Sequence, residues 1–160
     1  MKAAPIDRSA ISDPGVDGDP MIFKVLTEID MIAHLAETEF ARALPEGLTP
    51  AQFGVLNRLM RLATEETVSE LAAAFQVAQP TMSSTIKRLS DKGFTEFVAD
   101  ENDRRIRRVR VTPEGEAVRR RSVEAVAPFQ TMIAKALPDV DWSEILPALT
   151  ALRGLLGLVR

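Results

Sequence analysis

Three helix-start signatures punctuate this chain: Thr49-Pro50-Ala51-Gln52, Thr67-Val68-Ser69-Glu70 and Thr112-Pro113. In a capping box, a hydroxyl and a Gln or Glu three residues later bond reciprocally to backbone N–H groups that the first helical turn leaves unpaired. A proline at the first helical position has no such N–H to leave unpaired. Between the second and third signatures the hydrophobic period shifts. Phe94–Val98 and Arg107–Val111 read as short strands, joined by the polar stretch Asp100–Arg105. The signatures and the shift together predict a mostly α fold with one small β-hairpin.

The remaining elements follow from spacing. A long helix begins near Asp19, with Asp19 as cap and Pro20 in the first position. Ile22, Val25, Leu26, Ile29, Ile32, Ala33, Ala36 and Phe40 form one apolar stripe, and Phe23, Met31 and Leu35 a second. That surface is wider than one contact face needs. It implies burial against the body on one side and against a partner chain on another. Pro45 and Gly47 end this helix, and Phe53, Val55, Leu56, Leu59 and Leu62 carry the next to about Ala63. A short helix runs from Thr67 through Phe75, and another from about Gln79 to Lys92, closed by Gly93. After Pro113 a helix extends to the 134–137 region, with a kink at Pro128. Asp141 and Glu144 cap a last helix. There Ile145, Leu149, Leu152, Leu156 and Val159 make a coiled-coil-like seam that Pro147 bends. Residues 1–18, rich in Pro, Gly and Asp, read as a flexible tail, and residues 19–160 as a single domain.

Composition removes several function classes. Among 160 residues there is no Cys and one His, so thiolate metal sites, disulfides and most His-based catalysis are excluded. No Gly-rich phosphate loop or paired-carboxylate signature supports an enzyme, and no metal or cofactor is expected. The acidic trio Asp100, Glu101 and Asp103 lacks the Gly and distal Glu of a calcium loop. No apolar run is long enough to span a membrane, and the N-terminus lacks a signal layout, so a cytoplasmic protein is expected.

The net charge of −3 conceals a polarised chain. Residues 79–121 hold eleven basic and seven acidic side chains, a net +4, which leaves −7 for the rest. The densest point is residues 104–110, with five Arg in seven positions. The order helix, tight turn, helix, strand, basic loop, strand is that of a winged helix-turn-helix, over about residues 48–112. Its second helix buries Met82, Ile86 and Leu89. It presents Gln79, Pro80, Thr81, Ser83, Ser84 and Lys87 to a B-DNA major groove about 12 Å wide. The Arg-rich hairpin then lies beside it, within reach of the backbone or the minor groove. A wing used only for protein contacts would be weakly charged or acidic, and this one carries five Arg. Double-stranded DNA is therefore the expected partner. Strand alternation sends Arg108 and Arg110 to one face and Arg107 to the other. Arg119–Arg121 read as a solvated helical face.

Three segments, LTPAQFGVLNRL (48–59), VSELAAAFQVAQPTMSSTIKRLSDKGF (68–94) and DENDRRIRRVRVTPEGEA (100–117), resemble the MarR family of bacterial transcription regulators. With the long first and apolar last helices, the resemblance covers about residues 20–160. It implies a homodimeric, ligand-responsive repressor, with dimerisation helices at about 19–44 and 113–160 and a nucleoid-associated location. It also implies that Asp103 fixes the wing through salt bridges, and that Arg105, with Arg104, reaches the minor groove. Arg108 is counted with the DNA contacts. Ala78 stands where many members have a Ser cap, a role that falls to Gln79 here, and no Arg lies at the centre of the recognition helix. The family's effectors imply a small aromatic acid or other phenolic. His34, the only His, is the candidate contact for it, although a His at such a position is more often an ordinary helix-surface residue. Trp142 reads as packing.

Overall fold

The computed structural model describes residues 18–158. The tail expected at 1–18, apart from Gly18, and Val159 of the C-terminal seam lie outside the described residues. In chain order the elements are α1 (Met21–Ala43), α2 (Pro50–Leu62), β1 (Glu66–Thr67), α3 (Val68–Phe75), α4 (Gln79–Asp91), β2 (Thr95–Ala99), β3 (Arg107–Val111), α5 (Pro113–Ala136) and α6 (Trp142–Leu158). The mostly helical architecture with a small sheet is the one the capping pattern demands.

All three signatures start helices. Thr49 Oγ1 accepts from Gln52 N at 3.2 Å while Gln52 Oε1 accepts from Thr49 N at 3.2 Å. Thr67 and Glu70 repeat the box at the start of α3. Thr112 Oγ1 accepts from Gly115 N at 3.1 Å and donates to the Gly93 carbonyl at 2.6 Å, so this one side chain joins α5 to the end of α4. Asp141 caps α6 through the Ser143 N–H at 2.9 Å. At α1 the start is one residue later than expected. Pro20 is the cap position with an extended ψ of 137°, and its carbonyl receives Phe23 N and Lys24 N without a side-chain cap bond. Pro128 and Pro147 both sit inside continuous helices. Proline brings no N–H, so the carbonyl four residues before each has no helical donor.

The sheet has three antiparallel strands in the order β1-β3-β2. The hairpin pairs Thr95 with Val111, Phe97 with Val109 and Ala99 with Arg107. β1 adds Glu66 against Val109 and Thr67 against Arg108. Sequence patterning missed β1, because two residues carry no period and Thr67 is also the cap of α3.

The core lies between α2, α3, α4, β3 and the start of α5. Val55, Leu56, Leu59, Leu71, Ile86, Leu89, Val109 and Val118 are fully or almost fully enclosed there. α1 buries none of its side chains within the chain. It rests on α2 through stacked Phe40 and Phe53 rings, 6.3 Å apart at 21°. Ile22, Phe23, Met31, Ile32 and Leu35 stay exposed, as do Leu146, Leu149, Leu155 and Leu156 of α6. Monomeric proteins seldom leave apolar patches this large uncovered.

Gly115 explains the spacing Thr112-Pro113-Glu114-Gly115. A Cβ there would come within 2.0 Å of the Phe94 carbonyl oxygen and 2.8 Å of Val111 Cγ1. That same carbonyl accepts the Thr112 N–H at 3.1 Å, so α5 starts directly on the α4–β2 turn. Gly115→Ala is expected to cost about 3 kcal/mol in urea unfolding, because backbone rather than a mobile side chain must yield. Thr95 Oγ1 is the opposite case, being buried without a hydrogen-bond partner among the described residues. Thr95→Val should gain about 1 kcal/mol in the same measurement, and a loss would show that the hydroxyl has a partner.

Candidate nucleic-acid interface

α4 divides by burial as its sequence suggests. Met82, Ile86 and Leu89 face the core, while Gln79, Pro80, Thr81, Ser83, Ser84 and Lys87 are all exposed. Ala78 is the cap position and no side chain caps the helix, so Gln79 does not take over the missing Ser's role. The positive end of the α4 dipole therefore opens to solvent on the side carrying the exposed polar residues. Lys87 Nζ pairs with Asp91 at 2.7 Å, an exposed i,i+4 contact of the kind that contributes little and can exchange for another anion.

The wing is organised by Asp100, which the resemblance did not single out. Its Oδ1 accepts the backbone N–H groups of Asn102 at 2.8 Å and Asp103 at 3.1 Å. Its Oδ2 accepts from Arg108 Nε. Arg108 Nη1 also donates to the Glu65 carbonyl at 3.1 Å and to Glu70 Oε2 at 3.2 Å. One half-buried guanidinium thus joins the wing loop, the residue before β1 and the α3 cap. The Arg108 bond comes first, and the two loop amides second, in pushing the Asp100 carboxyl down from 3.8 to about 2. Asp100 in turn raises the Arg108 pKa. The Glu70 carboxyl is lowered chiefly by the Thr67 backbone and hydroxyl, with Arg108 adding less.

Two expectations change here. Arg108 turns inward to acidic and carbonyl partners rather than joining the candidate DNA surface. Two strand positions from Arg110, it shares that residue's sheet face, and Glu65, Glu70 and Glu96 supply the acidic partners of the two. Asp103 forms no salt bridge among the described residues. Its Oδ1 accepts the Arg105 N–H at 2.9 Å and its carbonyl accepts the Ile106 N–H at 2.9 Å, so it shapes the loop turn, and the ionic role falls to Asp100. Proximity of opposite charges in sequence could not separate the two aspartates, since only the loop's backbone path decides which one faces Arg108.

The other arginines sort by partner. Arg110 bonds Glu96 at 2.9 and 3.1 Å, and Arg107 reaches the Phe97 carbonyl at 3.2 Å. Arg119 bonds Asn57 Oδ1 at 2.9 Å, and Arg121 bonds Glu46 and Glu114, so these two tie α5 to the body, while Arg120 and Arg121 lie on the exposed side of the helix. Arg104 and Arg105 are exposed at the wing tip and form no ion pair among the described residues. With Arg107, which is exposed and bonds only a neutral carbonyl, they are wing cations whose charge no described carboxylate neutralises.

His34 is exposed on α1 and lines none of the described cavities. Ala33, Ala36 and Phe40 line a cavity against α2 and Phe75 that His34 does not join. A cleft of about 820 Å³ instead opens between α1, α2, α3 and α6, lined by Leu26, Ile29, Arg58, Gln76, Leu149 and Arg153 among others. A smaller one of about 350 Å³ adjoins it and adds Asn57 and Arg61. Arg58 is bound to Glu66 at 2.7 and 2.8 Å. Among the described residues no group of His, Cys, Asp or Glu is suited to a metal ion, and no helix among them is long and apolar enough to cross a membrane.

The wing should respond to acid. The Asp100 pKa is lower folded than unfolded, so its contribution is complete above the unfolded value and fades as pH falls from about 4 towards 2. The protection factors of the Asn102 and Asp103 amides should fall across that window, and Asp100→Asn should show the same loss of protection at neutral pH. Unchanged protection in the variant would remove Asp100 from the centre of the wing.

Comparison with known proteins agrees with this architecture. Residues 46–106 match the family model for MarR. A transcriptional regulator of Thermotoga maritima is 28% identical, with TM-score 0.58 over 86% of this chain and 95% of that one. A MarR family protein of Bacillus stearothermophilus is 26% identical, with TM-score 0.62 over 84% and 89%. The regulator BldR of Sulfolobus solfataricus is 25% identical, with TM-score 0.63 over 84% and 97%. With its winged helix-turn-helix flanked by two apolar helices, the chain is similar in fold to these MarR-family and transcriptional-regulator structures, and residues 46–106 carry its match to the MarR family.

Proposed function

We propose that this protein is a sequence-specific DNA-binding repressor, acting as a homodimer and released or engaged by a small effector. The observation that carries the reading is the pairing of an exposed polar α4 face with a wing whose internal ion pairs leave Arg104 and Arg105 free at its tip. Gln79, Pro80, Thr81, Ser83, Ser84 and Lys87 meet the major groove and its phosphates, and Arg105 with Arg104 meets the adjacent minor groove. Asp103 and Asp100 hold the loop that presents the two arginines. The uncovered apolar faces of α1 and α6 support a dimer built from these helices. A two-fold dimer places two α4 helices one turn of DNA apart, so the operator is an inverted repeat with half-sites about 10 bp apart. The reading is of a binding protein rather than an enzyme, located with the nucleoid in the cytoplasm.

The effector reading moves from His34 to the cleft. An apolar wall from Leu26, Ile29 and Leu149, with Arg153 and Arg61 at the edge, suits a small aromatic acid: ring against the aliphatic side chains, carboxylate towards the guanidinium groups. Such a ligand regulates by binding one arrangement of the helices better than another.

Selection from a random double-stranded DNA pool, at about 150 mM salt, tests the function. Enrichment of an inverted repeat is expected, and a folded dimer that enriches nothing would refute it. On the selected site, Arg105→Ala should cost about 1–3 kcal/mol and flatten the logarithmic salt dependence by about one unit. Arg108→Ala should weaken binding while also loosening the wing in hydrogen exchange, which Arg105→Ala should not do.

A further inference from the structure

The corner between α1 and α2 is held in a way that neither packing nor DNA contact explains. Glu46 adopts φ +58°, a left-handed conformation unfavourable for a residue with a Cβ, and Gly47 follows at +62°. Two side chains hold the corner there. Lys92, the residue ending α4, donates its Nζ to the Glu46 carbonyl at 3.0 Å and the Gly47 carbonyl at 2.8 Å. Arg121 of α5 grips the Glu46 carboxylate through Nε at 3.0 Å and Nη2 at 2.5 Å, and Nη2 also reaches Glu114 at 2.8 Å. The corner therefore joins the end of α1, the end of α4 and the side of α5.

These contacts are exposed, and exposed ion pairs add little to stability. Their location matters more. α4 is held by its buried face and by its C-terminal turn, while its N-terminal end is uncapped. Lys92 is the side chain that ties the closed end of α4 to the α1–α2 corner, across 45 and 46 residues of sequence. We infer that Lys92 and Arg121, acting through the strained Glu46–Gly47 corner, are positioning residues that set the angle of α4 against α1 and α5. Lys92 acts on recognition without touching DNA, because its ammonium group is spent on two backbone carbonyls. The inference rests on the DNA-binding reading for its consequence and on the geometry of the corner alone for its cause.

The test exploits the absence of native cysteine. Spin labels at Ala41→Cys and Arg88→Cys, both exposed positions, report the α1-to-α4 distance by pulsed electron resonance in DNA-free protein diluted with unlabelled chain. Lys92→Met should broaden that distance distribution with an unchanged urea midpoint, and Lys92→Arg should restore it. Arg121→Gln, which opens the corner from the α5 side, should broaden it too. On the selected operator, Lys92→Met should lose about tenfold in affinity, the scale of a lost charge-assisted hydrogen bond, at an unchanged salt slope. A distribution identical to wild type in both Lys92→Met and Arg121→Gln would overturn the proposal. A salt slope lower by about one would also overturn it, by making Lys92 a phosphate contact. Should the wild-type protein enrich no DNA, the DNA-binding reading fails, and the distance measurement still decides whether Lys92 sets the helix.

Discussion

The Arg108 guanidinium is where the wing, the small sheet and the helix-turn-helix meet. Its donors reach Asp100 in the wing loop, the Glu65 carbonyl and the Glu70 carboxylate that caps α3. A rigid planar fork suits this better than an ammonium would, since separate acceptors lie in different directions. The same Asp100 accepts two loop amides, so the loop that projects Arg104 and Arg105 is folded by the group that anchors it. A wing built this way keeps Arg104 and Arg105 exposed at its tip because its base has already satisfied its own charges.

A second constraint is the direct seating of α5 on the α4–β2 turn. Thr112 bonds Gly93 and the Gly115 N–H, its own N–H bonds the Phe94 carbonyl, and Gly115 leaves no room for a side chain between them. The end of α4 is thus fixed to the start of α5 through backbone, while Lys92 and Arg121 fix both to the α1–α2 corner. The enclosed core supports the helix-turn-helix and the wing, and α1 and α6 are left with apolar faces that one chain does not cover.

Much of this was legible in the residues because it rests on local chemistry. The capping boxes at Thr49 and Thr67, the cap at Thr112 and the buried face of α4 depend on neighbours within four positions, and all appear as read. The exposed apolar stripes were legible for the same reason. β1 was not, because a two-residue strand is defined only by its partner. The choice of Asp100 over Asp103, and the inward turn of Arg108, depend on groups in the β1–α3 region and on the backbone path of the wing loop. His34 depends on distant packing in the same way: period predicts the stripe on α1, and the tertiary fold decides what lies opposite each residue.

The sequence by itself determined the helices and their ends, the basic hairpin and the presence of a polar, exposed face on α4. Each follows from backbone hydrogen bonding and side-chain periodicity over short distances. Only the tertiary structure decided which charges are spent internally. Asp100, Glu65, Glu70 and Glu96 absorb Arg108 and Arg110, Glu46 and Glu114 absorb Arg121, and Arg104 and Arg105 remain exposed at the wing tip. The physical reason is range: an ion pair forms between groups brought within about 4 Å, and which groups those are depends on how distant segments pack.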